Sequence, residues 1–259
     1  MTSDTTLRLA FRDTGQGPAV IILHGLFGSS RNWQTVARRL ADRYRVVSVD
    51  LRNHGDSAHA ADMAYRAMAA DVCALADRLE LPQPILIGHS MGGKVAMTAA
   101  LVQSARWRKL AVVDIAPVNY PERYAELLDA MEAVAASAPS SRAQAGELLR
   151  TVAPDPAVRN FLLHNLAVRD GHYAWRINLP AIRRALPEIA GFPDIDGRFD
   201  GPVLFVRGER SGAVLPGHEP LILARFPRAR IATVAGAGHW PHADSPDAFL
   251  DILTPWLAG

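Results

Sequence analysis

Apolar residues gather in short runs along the chain: AVIIL (19–23), RVVSV (45–49), PILIG (84–88), LAVVD (110–114), VLFVR (203–207) and ARIATV (229–234). They are rich in β-branched residues and mostly lack polar alternation, which predicts strands covered on both faces. Between the first four runs lie WQTVARRLADR, MAADVCALADRL and KVAMTAALVQSA, whose apolar positions recur at helical spacing. A β, α, β, α order of this kind predicts a doubly wound, mostly parallel sheet with helices on both sides.

The alternation fails between Asn119 and Gly201. There AELLDAMEAVAAS, GELLRTVA, AVRNFLLHNLAV and LPAIRRALPEIA read as successive helices broken by prolines and glycines. Inserted after one strand and before the next, residues 119–200 are expected to form a helical cap over the carboxyl ends of the strands, where open α/β sheets bind ligands. Residues 1–118 and 201–259 then supply the core of a single structural domain.

Charge narrows the function classes. Lys and Arg number 28 against 26 Asp and Glu, and the basic residues are dispersed arginines, with Lys94 and Lys109 as the lysines. No clustered basic face recommends nucleic acid as a partner. The lone Cys73 excludes an internal disulfide and reads as a buried thiol in a reducing compartment. MTSDTTLRLAFRD lacks the charged start and apolar run of a leader, and no stretch approaches the ~18 apolar residues of a membrane span. These features predict a cytoplasmic protein without membrane insertion and leave its oligomeric state open.

The chemistry starts at GHSMGGK (88–94), where the third strand stops at a serine flanked by glycines and a helix begins at once. A G-x-S-x-G sequence in that setting is a nucleophile elbow: Ser90 stands at the tip of a sharp turn, and Gly88 and Gly92 leave room for it. A serine hydroxyl is a poor nucleophile until a base takes its proton. Of nine histidines, His239 in VAGAGHWPHAD is the best candidate, because it follows the last apolar strand on a glycine-bearing loop. His242 is its rival, and His89 is expected to pack beneath Ser90. The oxyanion formed on attack needs preorganised donors. The N–H of Met91, at the start of the helix, is one candidate. The N–H of Leu26, in HGLFGSSRNW (24–33), is the other, with Phe27 as its alternative. His24 is expected to tie this loop to its neighbours, and Asp50 and Arg52 of DLRNHGDS to brace the rim of the site. Phe27, Tyr124, Phe161, Trp175, Asn178 and Trp240 are candidates for the wall of a substrate pocket.

HGLFGSSRNW, DLRNHGDS (50–57), GHSMGGK, VVDIAPVNY (112–120), WRINLPAI (175–182) and GHWPHAD (238–244) together resemble one branch of the α/β-hydrolases, that of YbfF-like esterases and abhydrolase domain-containing protein 11. The likeness spans nearly the whole chain. It implies the α/β-hydrolase fold and a serine carboxylester hydrolase for short acyl esters, acting through Ser90 and His239 with neither metal nor organic cofactor. An acyl-CoA thioesterase or a carbon–carbon bond hydrolase would use the same groups, and a small-molecule receptor of this fold would keep them without turnover. Family members usually place the orienting acid after the penultimate strand, as G-x-x-D. Here Ser211 stands at that spacing from Gly208, and serine cannot stabilise an imidazolium as a carboxylate does. Within this branch Asp114, which ends LAVVD, is the candidate acid, with Glu209 as the alternative.

Overall fold

Alternation within each buried strand sends neighbouring side chains to opposite faces of one sheet, and each face carries its own helices. The computed structural model describes residues 6–169 and 171–259; residues 1–5, part of the leader reading, and Asp170, within the expected cap, lie outside the described residues. The strands are β1 (Phe11–Thr14), β2 (Ala19–Leu23), β3 (Arg45–Val49), β4 (Ile85–His89), β5 (Lys109–Val113), β6 (Leu166–Arg169), β7 (His172–Trp175), β8 (Val203–Gly208) and β9 (Ala229–Val234). Seven of them form a sheet in the order β1-β3-β2-β4-β5-β8-β9, in which β1 runs antiparallel to β3 and every other pair is parallel.

Helices α1 (Gln34–Leu40), α2 (Tyr65–Arg78) and α3 (Met91–Val102) connect the early strands. Ile21, Leu23, Val47, Leu86 and Val112 pack with α2 and α3 on one face. Val20, Ile22, Val46, Ile87 and Val113 pack on the other against α1 and α11 (Pro246–Ala258), which places the hydrophobic core on both sides of the sheet. Strand β1 is absent from the sequence expectation for a physical reason. It is a short edge strand with Arg12 and Asp13 exposed, and Asp13 pairs with Arg45 of β3 at 2.8 Å.

Between β5 and β8 the chain forms α4 (Ala125–Ser137), α5 (Arg142–Leu148), α6 (Pro156–Leu163), the β6–β7 hairpin, α7 (Leu179–Arg184) and α8 (Leu186–Ala190). The hairpin corrects the expectation of helices throughout. AVRNFLLHNLAV leaves the helix after Leu163 because Asn165 closes it: its carboxamide donates to the carbonyls of Phe27 at 2.7 Å and Leu162 at 3.2 Å. The residues that follow, LAVR and HYAW, carry the β-branched and aromatic side chains that suit a strand. After β8 come α9 (Glu219–Arg225), then β9, and α10 (Pro241–Asp244) ahead of α11. Among the described residues no helix is long and apolar enough to cross a membrane.

Candidate active site

Ser90 sits between β4 and α3 with φ 51° and ψ −119°, a conformation that costs a non-glycine residue about 1–3 kcal/mol. Its surroundings hold it there. The Ser90 N–H donates to the carbonyl of Val113 at 3.0 Å, and Met91 begins α3 directly behind it. A Cβ on Gly88 would strike the carbonyl of Gly92, and one on Gly92 would strike the carbonyl of His24. Both glycines are therefore required by close approach of backbone to backbone.

The Ser90 hydroxyl lies 3.0 Å from His239 Nε2, and His239 Nδ1 lies 2.7 Å from Asp114 Oδ2. A carboxylate accepts, so Nδ1 carries the ring proton and Nε2 is left to accept from the serine. Asp114, one residue beyond β5, is fully buried and has φ 52°. Its charge is met by the N–H of Gly208 at 2.9 Å from Oδ1 and by the hydroxyl of Ser211 at Oδ2. A buried carboxylate is tolerated when its lone pairs are so occupied. Glu209, the alternative acid, is turned away: it is exposed, and its carboxylate accepts from the N–H of Gly236 at 2.7 Å. Of the rival histidines, His89 donates from Nε2 to the carbonyl of His239 at 2.7 Å, and His242 stacks on Trp33 with ring centroids 4.0 Å apart.

The loop after β2 is fixed by three side chains. The Leu51 N–H donates to His24 Nε2 at 3.0 Å, so Nδ1–H of that ring donates to the carbonyl of Gly25 at 2.8 Å. The Phe27 N–H donates to His54 Nε2 at 3.3 Å while Asn165 holds the Phe27 carbonyl. Burial lowers the pKa of His24, and it lowers that of His54 to about 3, so both rings brace the loop as neutral imidazoles. The Phe27 N–H is thus committed elsewhere, which removes it as an oxyanion donor. Among the described residues no protein acceptor takes the N–H of Leu26 or of Met91. Arg52 and Asp50 brace the same region: Arg52 forks onto Asp71 at 2.7 and 2.9 Å, and Asp50 accepts from the Ser30 N–H at 2.6 Å.

A cavity of about 360 Å³ opens beside Ser90 and His239, walled by Tyr65, Lys94, Tyr120 and Ile189. A smaller one, about 80 Å³, lies against Ser90 and Leu26 and is lined by Phe27, Tyr124, Phe161 and Trp240, four of the expected pocket residues. Trp175 and Asn178 line neither. The Trp175 indole N–H donates to the carbonyl of Met131 at 2.7 Å, and that bond packs β7 against α4. Asn178 caps α7 through the Ala181 N–H at 3.3 Å and donates to Asn53 Oδ1 at 2.9 Å. Both residues are structural ties of the segment between β5 and β8.

Comparison with known proteins decides the family. A family model described as alpha/beta hydrolase fold matches residues 18–246. The chain is an α/β-hydrolase. It is 41% identical over 249 residues to the sn-1-specific diacylglycerol lipase ABHD11 of Mus musculus, covering 93% of this chain and 81% of that protein. It is 39% identical over 239 residues to esterase YbfF of Escherichia coli, covering 92% of each. Among solved structures it superposes on a marine microorganism esterase with a TM-score of 0.94 at 36% identity, over 97% of this chain and all of that one. With esterases and lipases as relatives, this α/β-hydrolase is a carboxylesterase-like enzyme.

Lys94, like Tyr65, Tyr120 and Ile189, lines the hydrolase's larger cavity without having been among the expected pocket residues. It lies one helical turn beyond Ser90 on α3, 2% exposed, and its ammonium donates to the carbonyls of Ile189 at 3.3 Å, Ala190 at 2.8 Å and Gly191. The rings of Tyr120 and Tyr65 lie 4.8 and 5.7 Å from it. A lone lysine in the apolar run GGKVAMTAA was the available signal. Its partners are backbone groups almost a hundred residues away, which no motif encodes.

Proposed function

We propose that the enzyme hydrolyses short-chain carboxylic esters through an acyl-enzyme on Ser90. The observation that carries this reading is the unbroken chain of contacts from the Ser90 hydroxyl through His239 to buried Asp114. As Ser90 Oγ attacks the ester carbonyl, His239 Nε2 takes its proton, and Asp114 stabilises the imidazolium that forms. The carbonyl oxygen becomes an oxyanion next to the unengaged N–H groups of Leu26 and Met91. One such donor is worth roughly 3–4 kcal/mol in the transition state. His239 then protonates the departing alcohol. Water, deprotonated by the same nitrogen, attacks the acyl carbon, and the acid leaves as Ser90 regains its proton.

Support for a short acyl group comes from the small cavity. At about 80 Å³ it is lined by aromatic rings packed on one another, Phe27 on Tyr124 edge to face at 5.7 Å and Phe161 on Trp240 at 5.7 Å. The larger cavity, with its tyrosines and Lys94, suits the alcohol portion. The test is p-nitrophenol release from a series of p-nitrophenyl esters running from acetate to laurate. Wild type should favour the short members and Ser90→Ala should be inert. Full activity in Ser90→Ala would refute the nucleophile, and a preference for laurate would refute the short acyl group.

A further inference from the structure

Side chains alternate along β4, so His89 shares a face of the sheet with Ile85 and Ile87, the face whose core includes Trp33 and Ala237. That direction brings its ring under the loop between β9 and α10, which carries His239. The ring is 3% exposed and meets three parts of the site. It belongs to the residue before Ser90. Its Nε2–H donates to the carbonyl of His239 at 2.7 Å. A Cβ on Gly25, the residue before Leu26, would lie 2.7 Å from its Nδ1. Among the described residues the carbonyl of His239 accepts from no backbone N–H, and the N–H of His239 reaches no backbone carbonyl. The backbone of the base is therefore tied at His239 itself by this one side-chain bond. Burial, with the rings of His239 and His242 each 4.9 Å away, pushes the pKa of His89 well below its ordinary value, so the donor is a neutral imidazole.

We propose that His89 is a positioning residue for the base: a neutral donor that fixes the backbone of His239 and thereby keeps its ring in reach of both Ser90 and Asp114. The inference rests on the Ser90, His239 and Asp114 roles proposed above. His239 must keep Nε2 at 3.0 Å from the Ser90 hydroxyl and Nδ1 at 2.7 Å from Asp114 while it takes and returns a proton. A shift of about 1 Å in such a group costs up to a hundredfold in rate. Neutrality matters as much as reach. The imidazolium that forms on His239 is faced by Asp114 from the end of β5, His89 from β4, His242 from α10 and Arg210 from the loop after β8. A second cation at His89 would oppose the proton that His239 has to accept. An uncharged N–H steadies the loop without that opposition.

The experiment is the pH dependence of kcat and KM for p-nitrophenyl butyrate in wild type, His89→Gln, His89→Asn and His89→Phe, with thermal unfolding of each. A glutamine amide nitrogen reaches about as far as His Nε2, whereas asparagine is one methylene shorter and stands near Nδ1. His89→Asn and His89→Phe should lower kcat by about ten- to a hundredfold and leave KM within a few-fold. Because a neutral ring is replaced, no charge changes, and the acid limb of kcat/KM reads the geometry of His239 directly. A ring drawn away from Asp114 holds its proton less well, so that limb should move down by about one pH unit, a tenfold weaker hold. His89→Gln should restore both kcat and the limb. If His89→Phe does not fold, the glutamine and asparagine variants decide between them. Equal behaviour of those two, or losses that follow thermal stability with the acid limb unmoved, would reduce His89 to packing and overturn the proposal. Ser90→Ala separates the two levels: turnover in that variant defeats the triad itself, whereas an inert Ser90→Ala beside unaffected His89 variants defeats the positioning role alone.

Discussion

Ser211 donates its hydroxyl to the carboxylate oxygen of Asp114 that holds His239. Ser211, at the spacing where the resemblance leads one to expect an acid, is thus a hydrogen-bond donor to a carboxylate supplied by the residue after β5. If Asp114 holds the ring tautomer, Asp114→Asn should lower kcat by about four orders of magnitude. Ser211→Ala removes one charge-assisted bond, worth about 1.5–3 kcal/mol, and should cost about ten- to a hundredfold. Adding Ser211→Asp to Asp114→Asn should recover part of the loss, because a carboxylate then stands within reach of His239. Steady-state kinetics on a p-nitrophenyl ester decide it; a double variant as inactive as Asp114→Asn would show that only the β5 position can orient the ring.

If the Leu26 N–H is an oxyanion donor, as proposed, its position depends on contacts made to its neighbour. His54 takes the Phe27 N–H, and Asn165, from the segment between β5 and β8, takes the Phe27 carbonyl at 2.7 Å. Misplacement of an oxyanion donor by about 1 Å costs up to a hundredfold in rate. His54→Phe and Asn165→Leu should each lower kcat by about ten- to a hundredfold and leave KM within a few-fold. Losses confined to KM would instead mean that the loop shapes ground-state binding.

How much of this was legible in the sequence depends on whether a residue's role is local. Ser90 and its glycines belong to one turn, so a short motif carried them. Asp114 ends an apolar strand, but it is the resemblance to one branch of the family that favours it over Glu209; the structure brings it, Ser90 and His239 within hydrogen-bond reach. Strand β1 and the β6–β7 hairpin were missed because short strands with exposed positions lack both an apolar run and a clear period. Residue type alone suggests Trp175 and Asn178 for the pocket, yet type does not give direction. The indole N–H found a carbonyl on α4, and the amide found a helix N-terminus.

Phe161 lies on α6 against Trp240 and helps close the small cavity at Ser90. Phe161→Ala should enlarge that cavity and move the acyl preference towards longer chains. The ratio of kcat/KM for octanoate to that for butyrate should rise by about tenfold, the equivalent of 1.4 kcal/mol. The partly buried position also implies a stability cost, so thermal unfolding accompanies the kinetics. An unchanged ratio in a folded variant would place the acyl chain elsewhere.

Lys94 supplies a prediction in which the sign can be worked out. Its ammonium is buried beneath α8 and bonded to neutral carbonyls, and burial lowers its pKa to about 7 from the ordinary 10.5. Between those values the unfolded chain keeps a proton that the folded chain has shed, so raising the pH favours the folded state. Stability from this group is complete above 10.5 and is lost as pH falls towards 7. Lys94→Met has no such proton, and comparing the two chains cancels every other group they share. The unfolding free energy of wild type relative to Lys94→Met should climb with pH, by up to about 1.4 kcal/mol per unit within that window. Urea denaturation of both proteins across the range measures it. A flat difference would mean that the carbonyls of Ile189, Ala190 and Gly191 keep the ammonium charged throughout, and the wall of the pocket beside Ser90 would then rest on a permanent buried cation.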